Sequence, residues 1–212
     1  MLPEVSGDTL KVKPQIVEDL KQGFAFIIRH KILRILLLTH VIITILSSPL
    51  QMLMPAVVID VYNKDSDSLG LILSLSGAGA LFGALFMAAI GSGRRGIVFL
   101  IAGLCTGITT LVIGISGSFI LACIFMLVLG FGNVGMWSLR QALGMGTTDP
   151  QYRGRVMSVF MMSWGISSIT TMPVGYLADI FGPQLVLAIL GITLIGAVIF
   201  ISVTQKGLRQ LE

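Results

Sequence analysis

Long stretches of apolar residues alternate with short clusters of charged and small residues between residues 32 and 203. Each stretch approaches or exceeds the roughly 20 residues that an α-helix needs to cross a hydrocarbon core of about 30 Å. Lipid offers no partner to backbone polar groups, which favours helices over strands in such stretches. The pattern predicts an all-α integral membrane protein with six transmembrane helices in one bundle, at residues 32–58, 69–91, 97–115, 119–139, 156–180 and 185–203.

The segment before the first predicted span has the pattern of an amphipathic helix. Its charged residues lie mostly on the other side of the helix from the apolar residues Ile16, Leu20, Phe24 and Ile27. We expect an interfacial helix on the cytoplasmic leaflet, with a coiled-coil or partner-binding helix as the alternative. The predicted order is a flexible tail, this helix, the bundle and a cytoplasmic tail, at residues 1–14, 15–31, 32–203 and 204–212.

Basic residues occupy alternate connections between the predicted spans. One set of connections and the two tails carry most of them: Lys11, Lys13, Lys21, Arg29, Lys31, Arg94, Arg95, Arg153, Arg155, Lys206 and Arg209. The other connections carry only Lys64. By the positive-inside rule, this asymmetry predicts a multi-pass protein of the cell membrane, plasma or inner, with both termini in the cytoplasm.

Composition supports a membrane protein and argues against a nucleic-acid partner. Apolar residues make up 55% of the chain and charged residues 11%, against roughly 25% charged residues in an average soluble domain. The formal net charge of +4 is divided among short loops, whereas nucleic acid is bound by a contiguous basic face. The predicted partner of most of the surface is therefore the lipid bilayer.

Glycines recur inside two of the predicted spans. Gly130, Gly132 and Gly135 follow the order G-x-G-x-x-G, but a dinucleotide-binding fingerprint requires a preceding strand, and an apolar span is not one. We predict instead that these glycines, with Gly79 and Gly83 of the second span, allow another helix to approach closely or the helix to bend.

Prolines also lie inside the spans, at Pro49, Pro55 and Pro173. Each removes an intrahelical hydrogen bond and favours a bend in the helix. The bends could act as gates or be static kinks, and both interpretations stay open.

Polar groups deep in a span are costly and therefore point to function. The deeper ones are His40, Gln51, Asn133 and Gln141, whereas Asp60 and Asp179 fall near span ends, where solvation is expected. Trp137 and Trp164 lie toward the cytoplasmic halves of their spans, where they either anchor the helix in the interface or line a substrate cavity.

Motifs of enzymes and metal sites are missing from the sequence. It contains no H-E-x-x-H, no C-x-x-C and no P-loop, and the acidic pair Asp65 and Asp67 lacks supporting ligands. We therefore predict no catalytic residue, no metal and no cofactor. An intramembrane enzyme that uses Asp60 or Asp179 is the alternative.

Three local patterns together resemble one family. Arg153 to Ser158 reads R-G-R-V-M-S, Gly175 to Asp179 reads G-Y-L-A-D, and Asp19 to Arg34 carries D-L-K-Q-G-F followed by R-H-K-I-L-R. These segments resemble the major facilitator superfamily, in particular the branch of bacterial exporters related to the enterobactin exporter and macrolide efflux proteins. The first two resemble the start and end of that branch's eleventh helix, and the third resembles the helix that joins the two halves of the family.

The resemblance implies the C-terminal half of a fold built from two six-helix bundles, with substrate held between them. The family's G-x-x-x-D-R-x-G-R-R loop has a shorter counterpart here, Gly91 to Gly96, which lacks the aspartate but keeps Arg94 and Arg95. Arg153, Gly154 and Arg155 would form the second cytoplasmic loop motif.

By the same resemblance, the first and fourth spans would face the central cavity. Gln51, Asn133 and Trp137 are then the expected substrate-cavity residues, and Trp164 of the fifth span is a further candidate. The implied function is export of small amphipathic or lipophilic solutes, of drug or siderophore type, by alternating access. The implied partner is an N-terminal six-helix half or a second copy, for which the glycine-rich second span would suit the interface. The alternative is a non-transporting scaffold, or a truncated fragment, that pairs with another six-helix half.

Overall fold

A computed structural model of the chain describes residues 16–90, 95–146 and 148–204. These residues form α-helices joined by short turns, with no strand among them, as the apolar pattern predicts. The helices are α1 Ile16–Arg29, α2 Lys31–Ala56, α3 Ser66–Ile90, α4 Arg95–Ile115, α5 Phe119–Gly146, α6 Arg153–Phe181 and α7 Pro183–Thr204. A π-helical turn, Val57–Val61, extends α2, and a 3₁₀ turn, Pro150–Tyr152, precedes α6.

Four of the helices in the described part of the chain are long and apolar enough to cross a bilayer. They cover Lys31–Val61, Ser66–Ala88, Val98–Ile115 and Pro183–Thr204, and α5 adds a shorter apolar stretch, Phe119–Val134. Helix α6 is less apolar because it carries several hydroxyl residues, among them Ser167, Ser168, Thr170 and Thr171. The chain is therefore a multi-pass membrane protein by helix length and composition.

The helices pack in two extensive pairs, α3 against α5 and α4 against α7, and the α4–α5 contact connects the pairs. Helix α2 packs mainly on α6 and α7, while α1 lies against α6. Buried apolar residues fill the contacts; Met54, Ile113 and Leu187 share one cluster, and Leu33, Val156 and Phe160 share another. Residues of α2, α4, α5 and α6 line a common cavity.

Glycines lie at a close contact between α3 and α5, as predicted for Gly79, Gly83 and Gly130, whereas a Cβ at Gly132 would make only ordinary contact with Ala102 of α4. A side chain at Gly79 or Gly83 of α3 would collide with the backbone of α5 at Leu127 or Phe131, and one at Gly130 of α5 would collide with Ser76 of α3. The face of α3 that carries Gly79 and Gly83 therefore packs within the bundle. Gly77, where a Cβ would meet no atom within 4 Å, is open to another contact.

Each predicted bend residue lies inside a long helix. Pro49 is buried in α2, Pro55 is followed directly by the π-helical turn, and Pro173 is exposed in α6. A π-helical turn widens the helix and interrupts its regular hydrogen bonds. The irregular backbone of α2 is therefore next to Pro55, and a gating role for the three prolines stays a prediction.

Candidate functional site

A cavity of about 450 Å³ opens between α2, α4, α5 and α6. Helix α2 contributes its polar wall, which we call the α2 polar stripe: His40, Thr44, Ser47, Ser48 and Gln51. Helix α5 contributes the facing wall with Leu129, Asn133, Val134 and Trp137. The cavity therefore combines a hydrogen-bonding side with a largely apolar side, which suits an amphipathic ligand.

The α2 polar stripe exists because its residues recur at helical spacing. Intervals of four, three and four residues separate His40, Thr44, Ser47 and Gln51, so that their side chains project from one face of α2. Sequence reasoning selected His40 and Gln51 but missed the three hydroxyl residues between them. The signal that would have found them is this helical period of polar residues inside an apolar span.

Hydrogen bonds within α2 satisfy some of the polar side chains of the α2 polar stripe. The Thr44 hydroxyl lies 3.3 Å from Nδ1 and 3.5 Å from Nε2 of His40. Ser47 donates to the Thr44 carbonyl at 3.5 Å, and Ser48 donates to the Ile45 carbonyl at 3.4 Å. Hydroxyls that donate to their own helix present only lone pairs to the cavity.

The predicted cavity residues Gln51, Asn133 and Trp137 lie on the wall of this one cavity. Gln51 and Asn133 are exposed, and the Trp137 side chain is 40% exposed. The side chain of the fourth predicted residue, Trp164 in α6, lies outside the described part of the structure, as does that of Gln141 in α5. A role for these residues in binding a solute remains a prediction.

His40 is the histidine of the described cavity wall. Its side chain is buried, with 6% exposed, and its ring lies 6.0 Å from that of Phe160 in α6. The remaining polar lining comes from Thr106 of α4, which donates to the Ala102 carbonyl at 2.9 Å, and from Ser167 of α6. No carboxylate is present among the described lining residues.

The predicted loop motif at the start of α6 contacts α1. Arg155 Nε donates to Asp19 Oδ1 at 2.8 Å, and Arg153 Nε donates to the Thr148 carbonyl at 3.2 Å. A Cβ at Gly23 of α1 would collide with the Arg155 carbonyl, whereas one at Gly154 would meet no atom. Arg94 and the side chain of Arg95 lie outside the described residues.

An aromatic contact lies next to this ion pair. The Tyr152 ring stacks on Phe26 of α1 at 4.7 Å, and the guanidinium of Arg155 lies 5.6 Å from the Tyr152 centroid. Phe26 also stacks on His30, with ring centroids 4.1 Å apart. Helix α1 therefore contacts the start of α6 through the Asp19–Arg155 ion pair, the close approach at Gly23 and the stacking of Phe26 on Tyr152. These contacts add to the apolar face of α1 that the sequence indicates.

The two span-end aspartates are exposed, Asp60 in the π-helical turn and Asp179 in α6, as their positions predict. No cluster of three or more His, Cys, Asp or Glu residues that could hold a metal is found within the described residues.

A family model described as Major Facilitator Superfamily matches residues 36–210. No curated protein and no solved structure matches the chain. The matched residues run from α2 through α7 and include every helix that contributes to the cavity.

Proposed function

Because the chain belongs to the major facilitator superfamily, we propose that it is the C-terminal six-helix half of a secondary exporter of small amphipathic or lipophilic solutes. Membership indicates membrane transport. The resemblance of the R-G-R-V-M-S segment to the enterobactin and macrolide exporters supports export as the direction of movement.

In this proposal α2 to α7 are the six membrane spans of one bundle, and both termini lie in the cytoplasm of a plasma or inner membrane. The distribution of Lys and Arg supports the orientation. The apolar stretch Phe119–Val134 supports α5 as a span, although it is shorter than the other apolar helices.

The cavity is the observation that carries the proposal. Transporters of this architecture bind substrate near the middle of the membrane, between two bundles that rock against each other. The cavity of this bundle is large enough to hold a small organic molecule and offers polar groups on α2 opposite Trp137 on α5. An N-terminal six-helix half, or a second copy, closes the other side, and an ion gradient supplies the energy.

Efflux of a lipophilic dye tests this function. Cells that express the chain together with a related N-terminal half should lose the dye several-fold faster than cells that express either half alone. Asn133→Leu, which removes an amide from the cavity wall, should slow the efflux. The control is Thr193→Val on the exposed side of α7, where the hydroxyl donates to the Ile189 carbonyl.

Equal dye retention in all these cells, at equal amounts of protein in the membrane, would count against export. If the two halves also purify together in that case, the non-transporting scaffold is the better description. If Thr193→Val slows dye efflux as much as Asn133→Leu does, the cavity no longer supports the proposal.

A further inference from the structure

We propose that the junction of α1 and α2 binds the headgroup of an anionic phospholipid, with Lys31 and Arg34 beside the headgroup and exposed apolar residues of α1 among the neighbouring acyl chains. The occupant is a lipid of the bilayer that surrounds the chain. The inference goes beyond the proposed function and does not rest on it, because lipid binding requires no transport.

Helix α1 carries apolar residues on two sides, and one of these sides is left exposed. On the side toward α6, Ile27 is buried and the Arg155 carbonyl closely approaches Gly23. Phe24 and Ile28, which lie one turn apart, are 51% and 47% exposed. An amphipathic helix next to a membrane span places such residues at the boundary between headgroups and acyl chains. The exposed side of α1 is therefore suited to contact lipid.

The first turns of α2 place two cations next to an exposed apolar residue. Lys31 and Arg34 are three residues apart and both are exposed, so they are neighbours on one face of the helix. Leu38, four residues further along that face, is 57% exposed and lies in the apolar helix Lys31–Val61. A lipid whose headgroup contacts the two cations can therefore extend its acyl chains along Leu38.

The positive charge around this junction is unbalanced. Residues 20 to 59 contain no Asp or Glu, whereas four cations of this segment are exposed: Lys21, Arg29, Lys31 and Arg34. None of the four forms an ion pair with another residue in the described part of the chain. Clusters of Lys and Arg beside a membrane span attract anionic lipids, and a zwitterionic headgroup gains less from them.

The acidic residues of α1 do not neutralise the junction. Asp19 accepts a hydrogen bond from Arg155 Nε at 2.8 Å and is engaged with α6. Glu18 can offset the charge of Lys21, three residues away, but it lies about 16 Å from Arg29 along the helix axis. That separation is about twice the Debye length at physiological salt. A lipid phosphate would supply the missing negative charge.

Native mass spectrometry of the full chain, released from detergent micelles, tests this site by counting bound lipids. The probes are phosphatidylglycerol and phosphatidylcholine with the same acyl chains. Each lipid is titrated into the delipidated chain, and the dissociation constant of the first bound lipid is determined. The variants are Lys31→Gln, Arg34→Gln and the double variant, with Lys64→Gln as the control at an exposed position between α2 and α3.

The unaltered chain should bind phosphatidylglycerol at least about tenfold tighter than phosphatidylcholine, since more than one cation contacts the headgroup. Lys31→Gln and Arg34→Gln should each weaken phosphatidylglycerol binding about fivefold, the factor that corresponds to about 1 kcal/mol for one cation. Lys64→Gln should leave the binding of both lipids unchanged. The preference should decrease as ammonium acetate rises from about 0.1 M to about 0.5 M, because the Debye length shortens.

The contribution of α1 is tested by a change in its exposed apolar side. Phe24→Ser should weaken phosphatidylglycerol binding at least about threefold, since less apolar surface leaves water when the lipid binds. Phe82→Ser is the matched control at an aromatic residue of α3 that is 59% exposed, and it should retain the affinity of the unaltered chain.

Equal affinity of the unaltered chain for the two lipids would overturn the inference. So would a double variant that binds phosphatidylglycerol as tightly as Lys64→Gln does, and the two single variants decide this point if the double variant does not fold. Equal affinity of Phe24→Ser and Phe82→Ser would exclude α1 from the site. Because no transport is measured, a failed efflux experiment leaves this inference standing, and equal binding of the two lipids leaves export standing.

Discussion

Asp19 and Arg155 lie 136 residues apart in the chain, yet the Nε of Arg155 is 2.8 Å from Oδ1 of Asp19. The pair joins α1 to the first turn of α6. Both side chains are partly exposed, Arg155 by 35% and Asp19 by 47%, so water and salt screen the attraction. Such a pair positions the two helices more than it stabilises them.

Asp19→Asn should therefore lower the free energy of unfolding by only about 0.5 kcal/mol, an effect that shrinks at high salt. A double-mutant cycle with Arg155→Gln, measured by thermal unfolding in detergent, isolates the coupling between the two charges. Glu18→Gln is the matched control, because Glu18 is an exposed acid next to Asp19. A zero coupling energy at low salt would show that the ion pair contributes nothing in solution.

A larger effect is expected at the contact between α3 and α5. Gly79→Ala places a methyl group against the backbone of Leu127, and the two helices must move apart. We expect a loss of about 1–3 kcal/mol in the free energy of unfolding, the usual cost of overpacking. Thermal unfolding in detergent measures it.

Gly77→Ala is the control two residues away on the same helix. A Cβ at this position meets no atom within 4 Å. Since Ala favours a helix over Gly by about 1 kcal/mol, this variant should be as stable as the original chain or slightly more stable. Equal destabilisation by both variants would contradict the close approach of α3 and α5 at Gly79.

The helices could be predicted from the sequence because the signal for each one is local. The predicted span 97–115 falls inside α4, Arg95–Ile115, and the amphipathic segment 15–31 contains α1, Ile16–Arg29. Apolar runs, charges and prolines lie within the segment that they describe. A single sequence is therefore enough to predict where these helices lie.

The contacts could be predicted only in part, since they depend on which faces of distant helices meet. Periodicity indicated that Gly79 permits a close approach but not that Leu127 is its neighbour. Gln51, Asn133 and Trp137 could be nominated together only through the resemblance to a known family. Nothing near Asp19 in the sequence indicates Arg155 as its partner.

The membrane topology of α5 and α6 provides a third prediction. Reporter fusions after Asp67 and Ser118 should be active outside the cytoplasm, and fusions after Arg95 and Arg155 should be active inside. A further fusion after Gly182 should read outside, because in the proposed six-span topology α6 crosses the bilayer despite its hydroxyl residues. A cytoplasmic signal at both Ser118 and Gly182 would be incompatible with six spans.

Tyr62, which follows the last residue of the first apolar helix, provides a prediction about alkaline pH. Its side chain is 7% exposed and lies edge-on to Phe119, with ring centroids 6.0 Å apart. The hydroxyl has no hydrogen-bond partner among the described residues. Burial raises the pKa of Tyr62 from 10.0 to about 12, with a smaller contribution from Cys123.

The sign of the pH effect follows from the raised pKa. The buried phenol keeps its proton up to about pH 12, whereas the phenol of the unfolded chain loses it near pH 10. The unfolded state therefore binds fewer protons between these values, and the free energy of unfolding falls as the pH rises. The stabilisation is fully present below pH 10 and is lost as the pH approaches 12.

Tyr62→Phe should remove this alkaline loss, which amounts to about 2 kcal/mol. Below pH 10 the variant should be at least as stable as the original chain, because it buries no unpaired hydroxyl. The measurement is the unfolding midpoint in detergent between pH 9 and about pH 12. Tyr176→Phe, at an exposed position in α6, should retain the alkaline loss of the original chain. If Tyr62→Phe loses stability as steeply as Tyr176→Phe, the alkaline effect arises from another group.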